Sequence, residues 1–292
     1  MKHPNHWKEQ ILVPLTELEL PEVTGEPLSN VRLEFYSKHL KTHLRVDVFL
    51  PLDYQTETDW SYPLLIANDG GEMTDIALPQ TTADLVRSGE VHPIIIAAVH
   101  STRERKHIYG VANEPDYANR GNKAGLYSLF ILEELLPWLK ARFRIIDKPE
   151  ALGIMGFSLG GLMAFDLAWS HPNVFKRVGI FSGSFWWRAK SYDNGYTDAD
   201  IIMISKVANT KTHPSDLQCW FQTGTLDETN DRDNDSVIDS VGDALDLLAE
   251  LTKKGFPKEN LTYVEIEGGH HNQATWKMAY PLFMKPLFHP KG

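Results

Sequence analysis

A single α/β domain, built on a mostly parallel central sheet with helices on both faces and an antiparallel N-terminal edge, is the fold this sequence predicts. Three observations carry that expectation. From Tyr62 onward, short continuous apolar runs alternate with stretches of helical periodicity, the pattern of parallel strands buried on both faces and joined by crossover helices. Before Tyr62, two segments alternate apolar and polar residues instead, as half-buried strands do. Near the middle of the chain, Ala151–Trp169 reads as an apolar strand, a sharp glycine-bounded turn at Ser158 and a helix.

Taken in order, a polar N-terminal extension over residues 1–30 leads into Val31–Ser37 and His43–Leu50, whose alternation predicts a pair of antiparallel edge strands. Tyr62–Ala67 and His92–Val99 are apolar throughout and predict central strands, with a helix over Asp75–Ser88 between them. The loop His100–Lys123 is long and charged, and a loop of that length in a compact domain points to function. Leu126, Leu129, Phe130, Leu132, Leu135, Leu136 and Leu139 recur at helical spacing and predict a helix over Leu126–Phe143 that packs on the sheet. The strand and amphipathic helix around Ser158 follow. Then come a strand at Arg177–Phe181, an irregular segment Ser182–Pro214, a strand at Gln218–Gln222, a helix over Val237–Lys254, a strand at Leu261–Ile266 and a closing helix after Asn272. No repeat or flexible linker divides the 292 residues, so one domain spans them.

The chemistry starts at Gly156-Phe-Ser158-Leu-Gly160. This G-x-S-x-G, with a strand before it and a helix after it, has the form of a nucleophile elbow, in which small neighbours let the backbone hold a serine hydroxyl above the strand ends. Leu159 opens the helix, so its N–H is available to an oxyanion. A serine hydroxyl needs a base within hydrogen-bond reach and an acid to orient that base. The strand at Gln218–Gln222 leads to Asp227, with Glu228 beside it, and the last strand leads to His270 and His271. Serine, acid and histidine arriving in that order, each just past a predicted strand, is the order of α/β-hydrolases. Two adjacent histidines cannot both face Ser158 from one strand end, so one is the base. A second oxyanion donor belongs after the strand at Tyr62–Ala67, where Gly70 and Gly71 let a backbone N–H approach without a side chain in the way.

Several stretches carry a family resemblance: Asn68–Gly71, His100–Arg105, Gly156–Gly161, Ser182–Trp187, Gly224–Asp227 and Gly268–Trp276. From about Arg32 to the C-terminus the chain resembles the putative-esterase family of α/β-hydrolases, which includes enterochelin (siderophore) esterases, feruloyl and other carbohydrate esterases, S-formylglutathione hydrolases and mycolyltransferases. The resemblance implies the α/β-hydrolase fold, with Ser158 as nucleophile, Asp227 as acid and a histidine of the last motif as base. Members show Gly-Gly-x-His-Asn-Glu-x-x-Trp, or Gly-Gly-His-Asp with a later Trp. This chain blends the two and has Gln273 where Glu is usual; the spacing from His271 to Trp276 fits the first form and selects His271.

The expected activity is therefore carboxylic ester hydrolysis through an acyl-enzyme, with a small-molecule ester as partner and with no cofactor and no metal. Acyl transfer by the same triad, and a binding protein that keeps the fold without catalysis, are the alternatives. For the substrate, Ser184-Phe185-Trp186-Trp187 is expected to form an aromatic wall suited to a sugar, phenolic or catecholate group, with Trp186 and Trp187 as the contacting residues. Arg105 belongs to a locally basic loop, with Arg103, Lys106, Arg120 and Lys123, that would favour an anionic group. Asp231–Asp239 has oxygen ligands at alternating positions but lacks the glycine and glutamate of a calcium loop, and reads as an acidic loop leading into a helix. A net charge of −10 excludes nucleic acid as a general partner. The lone Cys219 excludes an internal disulfide, and the N-terminal residues lack the apolar core of a secretory signal, so a cytoplasmic location is expected. No apolar run reaches the ~18 to 20 residues that span a bilayer.

Overall fold

The computed structural model describes residues 12–15, 18, 26–211 and 216–290. Its strands are β1 (Leu12–Pro14), β2 (Ser29–Ser37), β3 (Thr42–Leu50), β4 (Leu64–Ala67), β5 (Ile95–Val99), β6 (Leu152–Phe157), β7 (Arg177–Phe181), β8 (Gln218–Leu226) and β9 (Leu261–His270). They form one sheet in the order β1-β9-β8-β7-β6-β4-β5-β3-β2. Only the β2/β3 and β3/β5 pairs are antiparallel. The predicted antiparallel edge and parallel centre are both present. Every residue of β4, β5 and β6 is buried, which is why these strands read as unbroken apolar runs.

The helices are α1 (Leu78–Arg87), α2 (Arg105–Ile108), α3 (Ala124–Leu129), α4 (Leu136–Arg142), α5 (Leu159–Ser170), α6 (Ile202–Asn209), α7 (Asp239–Lys253) and α8 (Gln273–Phe288). Two apolar cores, one on each face of the sheet, hold them. Phe130, Leu162, Met203 and Leu245 of α5, α6, α7 and the stretch after α3 lie in the larger core, and Leu78, Leu85, Tyr280 and Phe283 of α1 and α8 lie in the other. No helix among the described residues is long and apolar enough to cross a membrane.

The structure departs from the sequence expectations in four places. The helix expected over Leu126–Phe143 begins at Ala124 and passes through a π-helical stretch, Phe130–Leu135, between α3 and α4. Pro137, with no N–H to donate, follows this change of hydrogen-bond register. The helix after Ser158 is not amphipathic: α5 is buried from Leu159 to Trp169. Its one buried charge, Asp166, is satisfied by Lys206 at 2.5 Å and by the Ala112 N–H at 2.9 Å. The segment expected to be irregular contains α6, and its expected end at Pro214 lies outside the described residues. Part of the expected N-terminal extension is β1, paired in parallel with β9; most of the rest lies outside the described residues.

Candidate active site

Four strand ends converge on one edge of the sheet. Ser158 follows β6 directly with φ 55° and ψ −119°, a conformation that costs a non-glycine residue about 1–3 kcal/mol and is held by its surroundings. Close approach of strand to helix at Gly156, and of the Asp69 side chain to the helix at Gly160, explains the flanking glycines. A Cβ on Gly156 would lie 2.3 Å from the Gly160 backbone, and one on Gly160 would lie 2.1 Å from Asp69 Oδ2. The turn is further fixed by hydrogen bonds from Ser158 N–H to the Phe181 carbonyl, 2.9 Å, and from the Asn68 amide to the Gly160 carbonyl, 2.8 Å. Leu159 is the first residue of α5, where an N–H has no partner within the helix.

Asp227 and His271 are neighbours because of strand register. Leu226 pairs with His270 across β8 and β9, beyond an irregularity between Gly224 and Leu226, so the next residue on each strand emerges beside the other. Both strands run four residues past their predicted ends. Gly224-Thr-Leu and Gly268-Gly read as turns, yet their backbones continue the ladder. His271 Nδ1 lies 3.9 Å from Asp227 Oδ2; the aspartate side chain is fully buried and the histidine is 37% exposed. Neither oxygen of Asp227 has a hydrogen-bond partner within 3.5 Å. A buried carboxylate left in that state is costly, and a short inward movement of the His271 ring would supply the missing donor. His270 is exposed and its N–H is held by Thr275 Oγ1 at 2.9 Å.

Trp276 links the elbow to the histidine. Its ring stacks on Phe157 at 4.8 Å and meets the His271 ring edge-on at 5.3 Å, while its indole N–H donates to Ser182 Oγ at 3.0 Å.

The glycine turn after β4 is a single 3₁₀ turn, Gly70–Glu72, preceded by Asp69 in the left-handed region. Gly70 is buried and Gly71 is exposed. Asp69 is the anchor of this turn. Arg105 grips its carboxylate with two hydrogen bonds, 2.7 and 3.2 Å, and also donates to the Phe157 carbonyl at 3.1 Å. Burial pushes the Asp69 carboxyl up from its ordinary value, and the Arg105 guanidinium opposes that shift. The expected substrate-binding Arg105 is thus committed to tying the glycine turn to the residue before Ser158. Lys123 pairs with Glu104 at 2.8 Å and Arg120 with Asp116, so internal pairing cancels much of the positive rim expected of this loop.

The two tryptophans separate. Trp187 is fully buried, its indole N–H donates to the Glu114 carbonyl at 3.0 Å, and a Cβ on Gly121 (φ +70°) would lie 2.6 Å from its ring. Enclosed in this way it has no face to offer a substrate, which corrects the expectation for that residue; it supports the long loop from beneath. Trp186 is half-buried, with the Arg120 guanidinium 4.8 Å above its ring.

Ser184, read in the sequence only as the start of the aromatic wall, proves to face the elbow: its Oγ lies 3.2 Å from Ser158 Oγ. The available signal was position, since Ser184 follows β7, the strand beside β6. Away from these strand ends, Asp231, Asp233 and Asp235 bring carboxylate oxygens within 4.8 Å of one another. Asp231 accepts the N–H groups of Asp235 and Ser236, in an acidic loop leading into α7.

Comparison with known proteins follows this geometry. Residues 37–281 match the family described as Putative esterase. The chain is 23% identical over 242 residues to the uncharacterized protein YbbA of Bacillus subtilis, covering 81% of this chain and 90% of that protein. The fold is similar to that of the Shigella flexneri enterobactin esterase solved in the presence of enterobactin, with a TM-score of 0.73 and 19% identity. That match covers 94% of this chain but spans only 62% of the Shigella chain. The ferulic acid esterase AmCE1/Fae1A of Anaeromyces mucronatus is similar in fold over 94% of this chain and 97% of its own, with a TM-score of 0.68 and 15% identity. A family match over most of the chain, on a mostly parallel sheet with its elbow serine at a strand end, places this protein in the esterase family of α/β-hydrolases.

Proposed function

We propose that this esterase hydrolyses carboxylic esters through a Ser158–His271–Asp227 triad and an acyl-enzyme intermediate. The observation that carries the reading is the buried, unpartnered Asp227 carboxylate with His271 Nδ1 beside it. A buried charge without a partner is retained against its cost where it does chemical work, and orienting an imidazole is such work. With Nδ1–H directed to Asp227, His271 Nε2 takes the proton from Ser158, whose oxygen attacks the ester carbonyl. The Leu159 N–H and the N–H of Gly70 or Gly71 stabilise the oxyanion. His271 then protonates the leaving alcohol, and water repeats the cycle on the acyl group. Phe157, Trp276 and the Asp69–Arg105 pair hold the participating turns in place.

Asp227→Asn tests the reading. It should lower kcat for p-nitrophenyl acetate by about 10⁴-fold, because the imidazole loses its orienting acceptor. Tm should stay level or rise, since the substitution removes a buried charge that makes no hydrogen bond. Activity within tenfold of the unsubstituted enzyme would contradict the role.

One of the similar structures is a ferulic acid esterase, and Trp186 is the side chain here best placed to meet an aromatic acyl group. It stands two residues beyond Ser184 and is only partly buried. Trp186→Ala should raise KM for a bulky aromatic-acyl ester more than for p-nitrophenyl acetate. Trp187→Ala should instead destabilise the fold by about 3–5 kcal/mol, as other core tryptophan truncations do. Equal changes in KM for both esters in Trp186→Ala would remove that residue from recognition.

A further inference from the structure

Glu72 and Gln273 are 201 positions apart in the chain and meet beside the candidate site, where Gln273 Nε2 donates to Glu72 Oε2 at 2.7 Å. Glu72 closes the 3₁₀ turn that carries Gly70 and Gly71. Gln273 opens α8, two residues after His271. We propose that Gln273 is a positioning residue whose hydrogen bond to Glu72 clamps the oxyanion turn against the loop bearing His271, setting the separation between the oxyanion donors and the base. This rests on the triad reading above.

Both ends of the clamp are rigid, so a single bond between them transmits position. On one side, Glu72 N–H donates to the Asp69 carbonyl at 2.8 Å, its own carbonyl accepts from Ile76 N–H at 3.0 Å, and Asp69 is gripped by Arg105. On the other, Asn272 caps α8 by accepting from Thr275 N–H at 3.1 Å, while Thr275 Oγ1 accepts from His270 N–H at 2.9 Å. A positional error of about 1 Å between reacting groups costs on the order of 100-fold in rate, so one clamp of this kind has kinetic leverage.

The amide at position 273 matters because it is a neutral donor facing a carboxylate. A glutamate here would set two carboxyl groups against each other, and they could hold only while sharing a proton. The charged and titratable groups around the pair are Asp69 and Arg105 on the Glu72 side, His100 just past β5 with Asp47 hydrogen-bonded to it, and His271 on the α8 side. Gln273 thereby makes the clamp independent of proton sharing.

The test uses the full chain and p-nitrophenyl acetate across pH 5 to 9. Gln273→Ala and Glu72→Ala should each lower kcat by about 10- to 100-fold with KM little changed. The double variant should be no worse than either single one. Glu72→Gln, whose amide oxygen still accepts, should keep kcat close to that of the unsubstituted enzyme. Gln273→Glu should retain activity at the acidic end and lose it as pH rises and the shared proton leaves. If the alanine variants fold poorly, as judged by Tm, the two isosteric variants decide. Alanine variants within twofold of normal kcat, or a Gln273→Glu profile that matches the unsubstituted enzyme, would overturn the clamp while Ser158→Ala remains inactive. Activity retained in Ser158→Ala would overturn the triad reading itself, and the clamp with it.

Discussion

Ser158→Ala should lower hydrolysis of p-nitrophenyl acetate by about 10⁵- to 10⁶-fold in kcat, the scale on which removal of a hydrolase nucleophile is felt. The substitution deletes one hydroxyl whose contact is Ser184 Oγ at 3.2 Å. It leaves intact the backbone bonds that hold the turn, including Ser158 N–H to Phe181. Tm should therefore be unchanged, and the residual rate should reflect only what the oxyanion donors and ester binding supply. A variant that folds normally and still hydrolyses the ester at a tenth of the normal rate would remove Ser158 from the chemistry.

His271→Ala should have an effect of similar size, while His270→Ala leaves kcat near normal. Strand geometry makes the distinction. Successive side chains point to opposite faces of a strand, and the Leu226–His270 pairing puts His271, not His270, next to Asp227. His270 is exposed, and what it lends the fold is its backbone N–H to Thr275, which alanine keeps. Loss of activity in the His270 variant with activity preserved in the His271 variant would reverse the assignment.

Much of this architecture is legible in the sequence because its cause is local. Strands β4, β5 and β6 are buried on both faces and so read as apolar runs, and β2 and β3 show the alternation of an edge. The elbow is legible because glycine is forced at 156 by the backbone of Gly160, four residues on, whereas the crowding at 160 comes from the side chain of Asp69, 91 positions earlier. Other features depend on partners far away in the chain. Whether Trp186 or Trp187 faces inward is decided by how residues 110–121 fold over them, which no periodicity encodes. Arg105 reads as a free cation until Asp69, 36 positions earlier, is brought against it. The ends of β8 and β9 were obscured by glycines that elsewhere signal turns but here admit a close approach, since a Cβ on Gly224 would lie 2.3 Å from the Gly269 carbonyl oxygen. The three-residue strand β1 carries too little pattern to stand out from the polar residues around it.

The most direct test is to label the full-length protein with a fluorophosphonate and locate the adduct by peptide mass spectrometry. Ser158 and Ser184 present hydroxyls 3.2 Å apart, so the chemistry itself must distinguish them. One adduct per chain, carried on Ser158 and lost in His271→Ala, is the expected result. An adduct on Ser184, or an active preparation that takes up no label, would contradict a nucleophile at the elbow.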